Sequence, residues 1–405
     1  MITPTATQPL DQPSNATLVL IHVAFVLAGV MTTLLGPMLP LLAMQWSLND
    51  TQAGSLFTAQ FTGSMLGVAL SGLLVQARGY RVTLVSGLGA IAAGVAALVH
   101  ASWTPGVAAV FLYGVGLGFV MPTGNLLIAE WNPRRRAAAL NWLNLAWGIG
   151  AAGCPFAVKT LASSHRIYVL LLGIVAVSLL LALVAIFPSL AFPDVPPPQR
   201  APGEISSIGR SRFAFLLGAL FFLYVGTENG IGGWVASYAQ RMQNGAGTFW
   251  VPAPSLFWIS LLAGRAIAAK LLRYVGELQL ASVGLMIASC GVTVLLAAHT
   301  IGILLAGVAL SGLGLASIFP INISLLSLRF GRMAPRIGGA MFALAGLGGA
   351  TLPWLVGSIS TRFGGLKTGL WVPWIGCLVM LVLYFFVRHS PRRNAGSDAG
   401  DGIAS

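Results

Sequence analysis

A carboxylate and an amide stand side by side in the middle of a long apolar run. Phe221 to Gln240 reads FFLYVGTENGIGGWVASYAQ, with Glu228 and Asn229 beside Gly226, Gly230, Gly232 and Gly233. Burying a carboxyl group in hydrocarbon costs on the order of several kcal/mol, so such a residue faces a wet cavity or a partner. Glycines weaken a helix and free backbone groups that only a cavity or close helix packing can satisfy. Together these are the ingredients of a binding site inside a membrane. Glu228 is the one acidic residue deep in an apolar run, and Arg265 the one basic residue. At about 1.5 Å per residue both fall in the middle third of a bilayer, so their long side chains are placed to pair. Two roles follow. The pair either fixes two helices, or Glu228 contacts solute hydroxyls, a proton or both; a pair broken by protonation or by solute is also a coupling device.

A polyhydroxylated solute needs several hydrogen-bonding side chains and flat aromatic faces. The candidate amides are Gln60, Asn125, Asn141, Asn144, Asn229 and Asn322. Asn141 and Asn144 share one helix face, with Trp147 a further turn along. Each amide has a plainer alternative, a hydrogen bond between neighbouring helices. Trp147, Trp234, Trp258 and Phe342, with Trp142 and Tyr238, are candidates for stacking or gating, whereas Trp103, Trp250, Trp371 and Trp374 read as anchors at the membrane interface. Glu130 beside Arg134 to Arg136, and Arg329 to Arg336 in the matching place, are expected to form a gate or to bind anionic lipid headgroups.

The elements that carry these residues follow from composition. Of 405 residues, 57% are hydrophobic and 8% charged, and the mean hydropathy is +0.86. Soluble domains carry about 25% charged residues, so the chain is read as a multi-span, all-α membrane protein. Apolar segments long enough to cross roughly 30 Å of hydrocarbon fall near 17–43, 51–76, 82–100, 105–130, 136–160, 166–187, 213–239, 253–273, 277–298, 301–328, 336–360 and 369–388. Asn15 or Thr17 is positioned to cap the first helix, and Asn49 or Asp50 the second. With the N-terminus inside, inner loops and the C-terminal tail hold sixteen Lys and Arg residues and the outer loops five. That bias places both termini in the cytoplasm of a cell (inner) membrane protein. The net charge of +13 is therefore read as topological, with no nucleic-acid partner. The three cysteines lie in separate apolar segments and form no metal pattern.

Residues 188–212, polar and proline-rich, are expected to link two six-helix halves, 17–187 and 213–388, with cytoplasmic tails at 1–16 and 389–405. The halves repeat. At an offset of 198, Gly114, Gly116, Leu117 and Pro122 match Gly312, Gly314, Leu315 and Pro320, and Gly148, Gly150 and Pro155 match Gly346, Gly348 and Pro353. An offset of 197 puts Gly29 and Gly36 on Gly226 and Gly233. Six plus six parallel repeats with a site at their interface is a transporter architecture.

Two motifs carry a family resemblance. Gly72-Leu-Leu-Val-Gln-Ala-Arg-Gly-Tyr-Arg81 resembles the cytoplasmic signature of the major facilitator superfamily, keeping Gly72, Arg78, Gly79 and Arg81 but placing Gln76 where the family usually has aspartate. That likeness implies a cytoplasmic gate at Gly72, Arg78, Gly79 and Arg81. Phe222 to Trp234 resembles the seventh helix of the fucose–glucose–galactose:proton symporters, which implies a hexose-type solute near Glu228. The coupling carboxylates expected in the first and fourth helices of that family have no counterpart beyond Glu130. The resulting expectation is an alternating-access transporter of a small polar solute, a monosaccharide first, with protons as the candidate coupling ion, monomeric in the bilayer, and with no cofactor, metal or catalytic role. A drug or metabolite exporter of the same fold, a lipid carrier and a non-transporting membrane sensor are the alternatives.

Overall fold

The computed structural model describes residues 14–132, 135–163, 166–188, 190, 192–193, 212–243 and 252–389, with the side chains of Ala137, Arg332, Pro335 and Arg336 left aside. Most of the expected linker and tails, Arg134, Arg200, Arg210, Arg392, Arg393 and Trp250 lie outside the described residues.

Among the described residues, eleven helical segments are long and apolar enough to cross a membrane. One of them, Asp50–Val99, runs as two spans through a kink at Gly79, where φ is 83°; only glycine tolerates that region without strain. Twelve spans result. Spans 2 and 3 are the two parts of Asp50–Val99; span 4 is Trp103–Trp131, span 5 Arg136–Ser163, span 6 Ile167–Ile186 and span 7 Arg212–Met242. Span 8 is Pro252–Leu271, span 9 Glu277–Leu296, span 11 Ala334–Phe363 and span 12 Trp371–Arg388.

Spans 1 and 10 are each broken. Span 1 divides into Asn15–Thr33 and Leu35–Gln45, and span 10 into Ile301–Leu315 and Ile318–Phe330. The cause is proline. Pro37 and Pro320 have no N–H for the carbonyls of Thr33 and Ala316, four residues back, and their rings crowd those carbonyls. The ends are capped locally. Ser14, rather than Asn15 or Thr17, accepts from the Thr17 amide at the start of span 1. Asn49 forms a capping box with Gln52, which leaves Asp50 free to act elsewhere.

The duplication is visible in the packing. A Cβ on Gly114 would overlap the Gln60 carbonyl, and one on Gly312 would overlap the Phe257 carbonyl, 197 residues after Gln60. Gly116 meets the Gly87 carbonyl just as Gly314 meets that of Gly284. Span 1 packs on span 5 as span 7 packs on span 11. The same small residues let backbones approach in both halves, because apolar side chains gain nothing by leaving lipid and close packing must hold the helices.

The halves meet unevenly. The bundle has an arginine-rich end, where spans 2, 4, 10 and 12 finish, and an arginine-poor end, where spans 1, 5, 7 and 11 finish. Span 1 touches span 7 at Gly36 against Gly232 and Gly233. Span 2 runs along span 11, from Gly54 on Trp354 through Thr58 on the Ala350 carbonyl to Met65 on Gly346. Span 5 meets span 8 at Ala152 with Ser255 and at Gly148 with Leu262. Hydrogen bonds, an ion pair and ring contacts between described residues of the two halves lie from the bundle's middle to its arginine-poor end. Among the described residues, the contacts between halves gather towards the arginine-poor end.

Candidate functional site

Span 7 places Glu228 about 21 Å from its arginine-poor end and span 8 places Arg265 about 20 Å from its own, counting 1.5 Å per residue. The two side chains do come together. Tyr224, one turn before Glu228 on the same helix face, donates its hydroxyl to Glu228 Oε1 at 2.7 Å. Arg265 Nη2 stands 3.7 Å from that same oxygen, beyond hydrogen-bond reach. The Glu228 side chain is 10% exposed and that of Arg265 25%. Arg265 Nε is sealed from solvent with no partner.

The other half supplies a facing polar group. Thr32, one turn from Gly36 towards the arginine-rich end, donates to the Ala28 carbonyl at 2.7 Å and receives Trp147 Nε1 at 3.4 Å. Gln60 Nε2 donates to the Thr32 carbonyl at 3.1 Å, and Gln60 Oε1 accepts from Tyr113 at 2.9 Å. Trp147 meets Trp258 edge to face across the halves, with ring centroids 5.8 Å apart. Trp258 also packs against Gly232, one turn from Glu228. These contacts seal the site towards the arginine-poor end. Towards the other end Phe221, Tyr224, Phe319 and Phe342 form one aromatic group, with Tyr224 and Phe319 centroids 5.6 Å apart; Phe342 is 46% exposed.

Other candidates stand elsewhere. Asn322 is wholly buried and accepts from Tyr384 of span 12 at 2.7 Å, inside one half rather than between halves. Asn125, in span 4, is half-buried and returns its amide to the Met121 carbonyl on its own helix. Trp234 is fully buried, with Nε1 on the Pro353 carbonyl, so its ring is core and not a stacking face. Asn229 is buried and donates to the Val225 carbonyl on its own helix. Asn141 and Asn144 are exposed, and Asn144 donates to Leu140. Glu130 is held by the Tyr80 hydroxyl at 2.6 Å and is remote from Arg265. In the second half, 197 residues after Tyr80, Glu277 receives the Ser324 hydroxyl at 2.6 Å. Each half thus ties the start of its third span to the end of its fourth with an acid–hydroxyl bond.

The signature residues do not touch the opposite half in this state. Gly72 and Arg78 are exposed, and Gly79 is the kink. Arg81 donates to the carbonyls of Ile186, Phe187 and Leu190 and covers Phe192, so it caps span 6. The feature that sequence reading missed lies at the far end. Asp50 accepts from both terminal nitrogens of Arg241 on span 7 and from the Ser360 hydroxyl on span 11. The neighbouring Thr51 amide donates to Thr361 Oγ1 at 2.9 Å. No spacing joins positions 50, 241 and 360, so no local pattern announces this junction.

Comparison with known proteins decides the family. A model of the Major Facilitator Superfamily matches residues 21–353. The chain belongs to that superfamily. It is 24% identical over 351 residues to the glucose/mannose transporter GlcP of Bacillus subtilis (strain 168), covering 82% of this chain and 85% of the relative. It is 26% identical over 179 residues to the 4-hydroxybenzoate transporter PcaK of Pseudomonas putida, covering 44% of this chain and 40% of that one. Among solved structures, the fucose:proton symporter FucP of E. coli superposes with a TM-score of 0.63 at 18% identity, over 91% of this chain and 98% of that one. The twelve-span superfamily transporter fold expected from the sequence is the fold observed.

Proposed function

We propose that this superfamily member carries a small polar solute, a monosaccharide of the hexose type, by alternating access between its two halves, with Glu228 as the group that couples solute to a proton. The observation that carries the reading is the Tyr224–Glu228–Arg265 cluster. It sits at mid-depth, directly below the contacts that close the arginine-poor end. A buried carboxylate with one firm donor and a loose cationic neighbour is poised to take up a proton, because only a weak contact with the guanidinium is lost and the carboxyl becomes neutral.

The arginine-rich end faces the cytoplasm by the positive-inside rule. The described state is therefore the one that loads or releases solute on the cytoplasmic side. Trp147, half-buried and backed edge to face by the buried Trp258, offers a ring to the apolar CH patches of a sugar, and Thr32 offers a hydroxyl oxygen. The names of the similar proteins agree with this reading: GlcP is called a glucose/mannose transporter and FucP a fucose:proton symporter.

The test is transport in proteoliposomes with D-glucose, D-mannose and L-fucose as probes. Wild-type protein should exchange at least one of them and alkalinise a weakly buffered exterior on sugar addition. Glu228→Gln should insert and fold normally yet lose accumulation, keeping at most exchange. Wild-type accumulation and pH dependence in Glu228→Gln would remove Glu228 from the coupling step.

A further inference from the structure

Two ion pairs join described residues, and they are built differently. At the arginine-poor end Arg241 reaches Asp50 with both terminal nitrogens, and the fork is closed on its carboxylate. At mid-depth Arg265 has no such closure. Its Nη2 is 3.7 Å from Glu228 Oε1, its Nε is buried without a partner, and Glu228 Oε1 already holds the Tyr224 hydroxyl. A guanidinium presents five N–H donors in a rigid plane, and a carboxylate with two parallel bonds is the ligand that matches it. A buried donor left unmatched is costly, so a site that leaves one open is complementary to an acceptor that arrives from outside.

Position agrees with this. Trp258, Leu262 and Arg265 recur at helical spacing along one face of span 8. Trp258 and Leu262 on that face touch span 5 at Trp147 and Gly148. Arg265 is the next residue on the same stripe, one turn past Leu262, with a quarter of its side chain exposed. The stripe that carries it is the one that meets the other half, unlike the setting of Asn322, which bonds within one half.

We propose that Arg265 is a carboxylate-binding residue and that the solute is a sugar acid: a polyhydroxylated carbon chain or ring carrying one carboxylate. This rests on the transporter reading above and narrows its solute class. The incoming carboxylate takes the fork, while Glu228 keeps Tyr224 and takes up the coupled proton, so the guanidinium stays paired and the displaced carboxyl becomes neutral. A neutral hexose lacks the group that fills the fork.

The experiment is calorimetric titration of the purified full-length protein with D-gluconate, D-glucuronate and D-glucose. Wild type should bind gluconate or glucuronate about tenfold or more tighter than glucose, the scale of hydrogen bonds to a charged group. Arg265→Gln should erase that difference. Arg265→Lys, which keeps the charge and loses the fork, should retain only part of it. Glu228→Gln, freed of the competing carboxylate, should bind the sugar acids at least as tightly as wild type. The double variant Glu228→Gln/Arg265→Gln restores neutrality if Arg265→Gln alone fails to fold, and should bind no sugar acid in preference to glucose. Glucose binding without sugar-acid binding overturns this inference and leaves the monosaccharide reading standing. Binding of none of the three overturns both. A preference for sugar acids that survives in both folded Arg265 variants removes Arg265 from recognition.

Discussion

Replacing Asp50 with asparagine should loosen the closed end of the transporter without disturbing either half. The perturbation is confined because Asn49, not Asp50, caps the second span. What is lost is the charge that accepts from both terminal nitrogens of Arg241 and from Ser360. Shielded hydrogen bonds to a charged group contribute about 1.5–3 kcal/mol each, while solvent-exposed ion pairs contribute about 0.2–1 kcal/mol. The Arg241 side chain is 47% exposed and that of Asp50 11%, so screening discounts the ion pair and leaves the Ser360 bond closer to its full value. The junction as a whole should contribute roughly 1.5–3 kcal/mol to closure, or about 10- to 150-fold in the equilibrium between the two access states. Paired spin labels measure it. On a background lacking the three cysteines, labels at Met44 and Phe363 report the arginine-poor end, and labels at Leu73 and Leu328 report the other. All four positions are strongly exposed. In Asp50→Asn the first distance distribution should shift to longer values and the second to shorter ones. Distributions identical to wild type for both pairs would refute the claim that Asp50 holds the closed end.

Two further outcomes follow from packing. Gly29→Ala and Gly348→Ala each drive a methyl into a backbone carbonyl of the partner helix, at Trp147 and Phe222. Each should cost about 3 kcal/mol or more, the upper range of overpacking because backbone cannot rotate away. Gly72→Ala meets open space and should leave the thermal midpoint in detergent unchanged. Tyr384→Phe leaves the Asn322 oxygen without its donor in a site where Asn322 Nδ2 already has no partner. It should lower stability by about 1–3 kcal/mol while the KM for transport stays at the wild-type value; a changed KM would place Asn322 nearer the solute than the structure does.

Composition and spacing decided the fold class of this molecule. Twelve apolar runs, sixteen cations in one alternating set of loops and tails against five in the other, and a repeat offset near 198 follow from chain order alone, because membrane thickness and gene duplication both act along the sequence. Glu228 and Arg265 were legible for the same reason: a charge in an apolar run is conspicuous wherever the run sits. Their depth followed from counting residues, and the structure adds that Tyr224 holds Glu228 by its hydroxyl. Side-chain direction was a different matter. Asn322 and Trp234 carry the right chemistry for a sugar site, yet one turns to Tyr384 and the other to the Pro353 carbonyl. Amides and indoles serve packing and binding equally well, and only the rotation of each helix about its axis separates the two uses. Asp50, Arg241 and Ser360 show the same limit from the other side. As sequence they are a helix start, a loop cation and an ordinary serine. Tertiary structure made them one junction, because a contact between halves depends on how two bundles tilt against each other, and no local spacing records that.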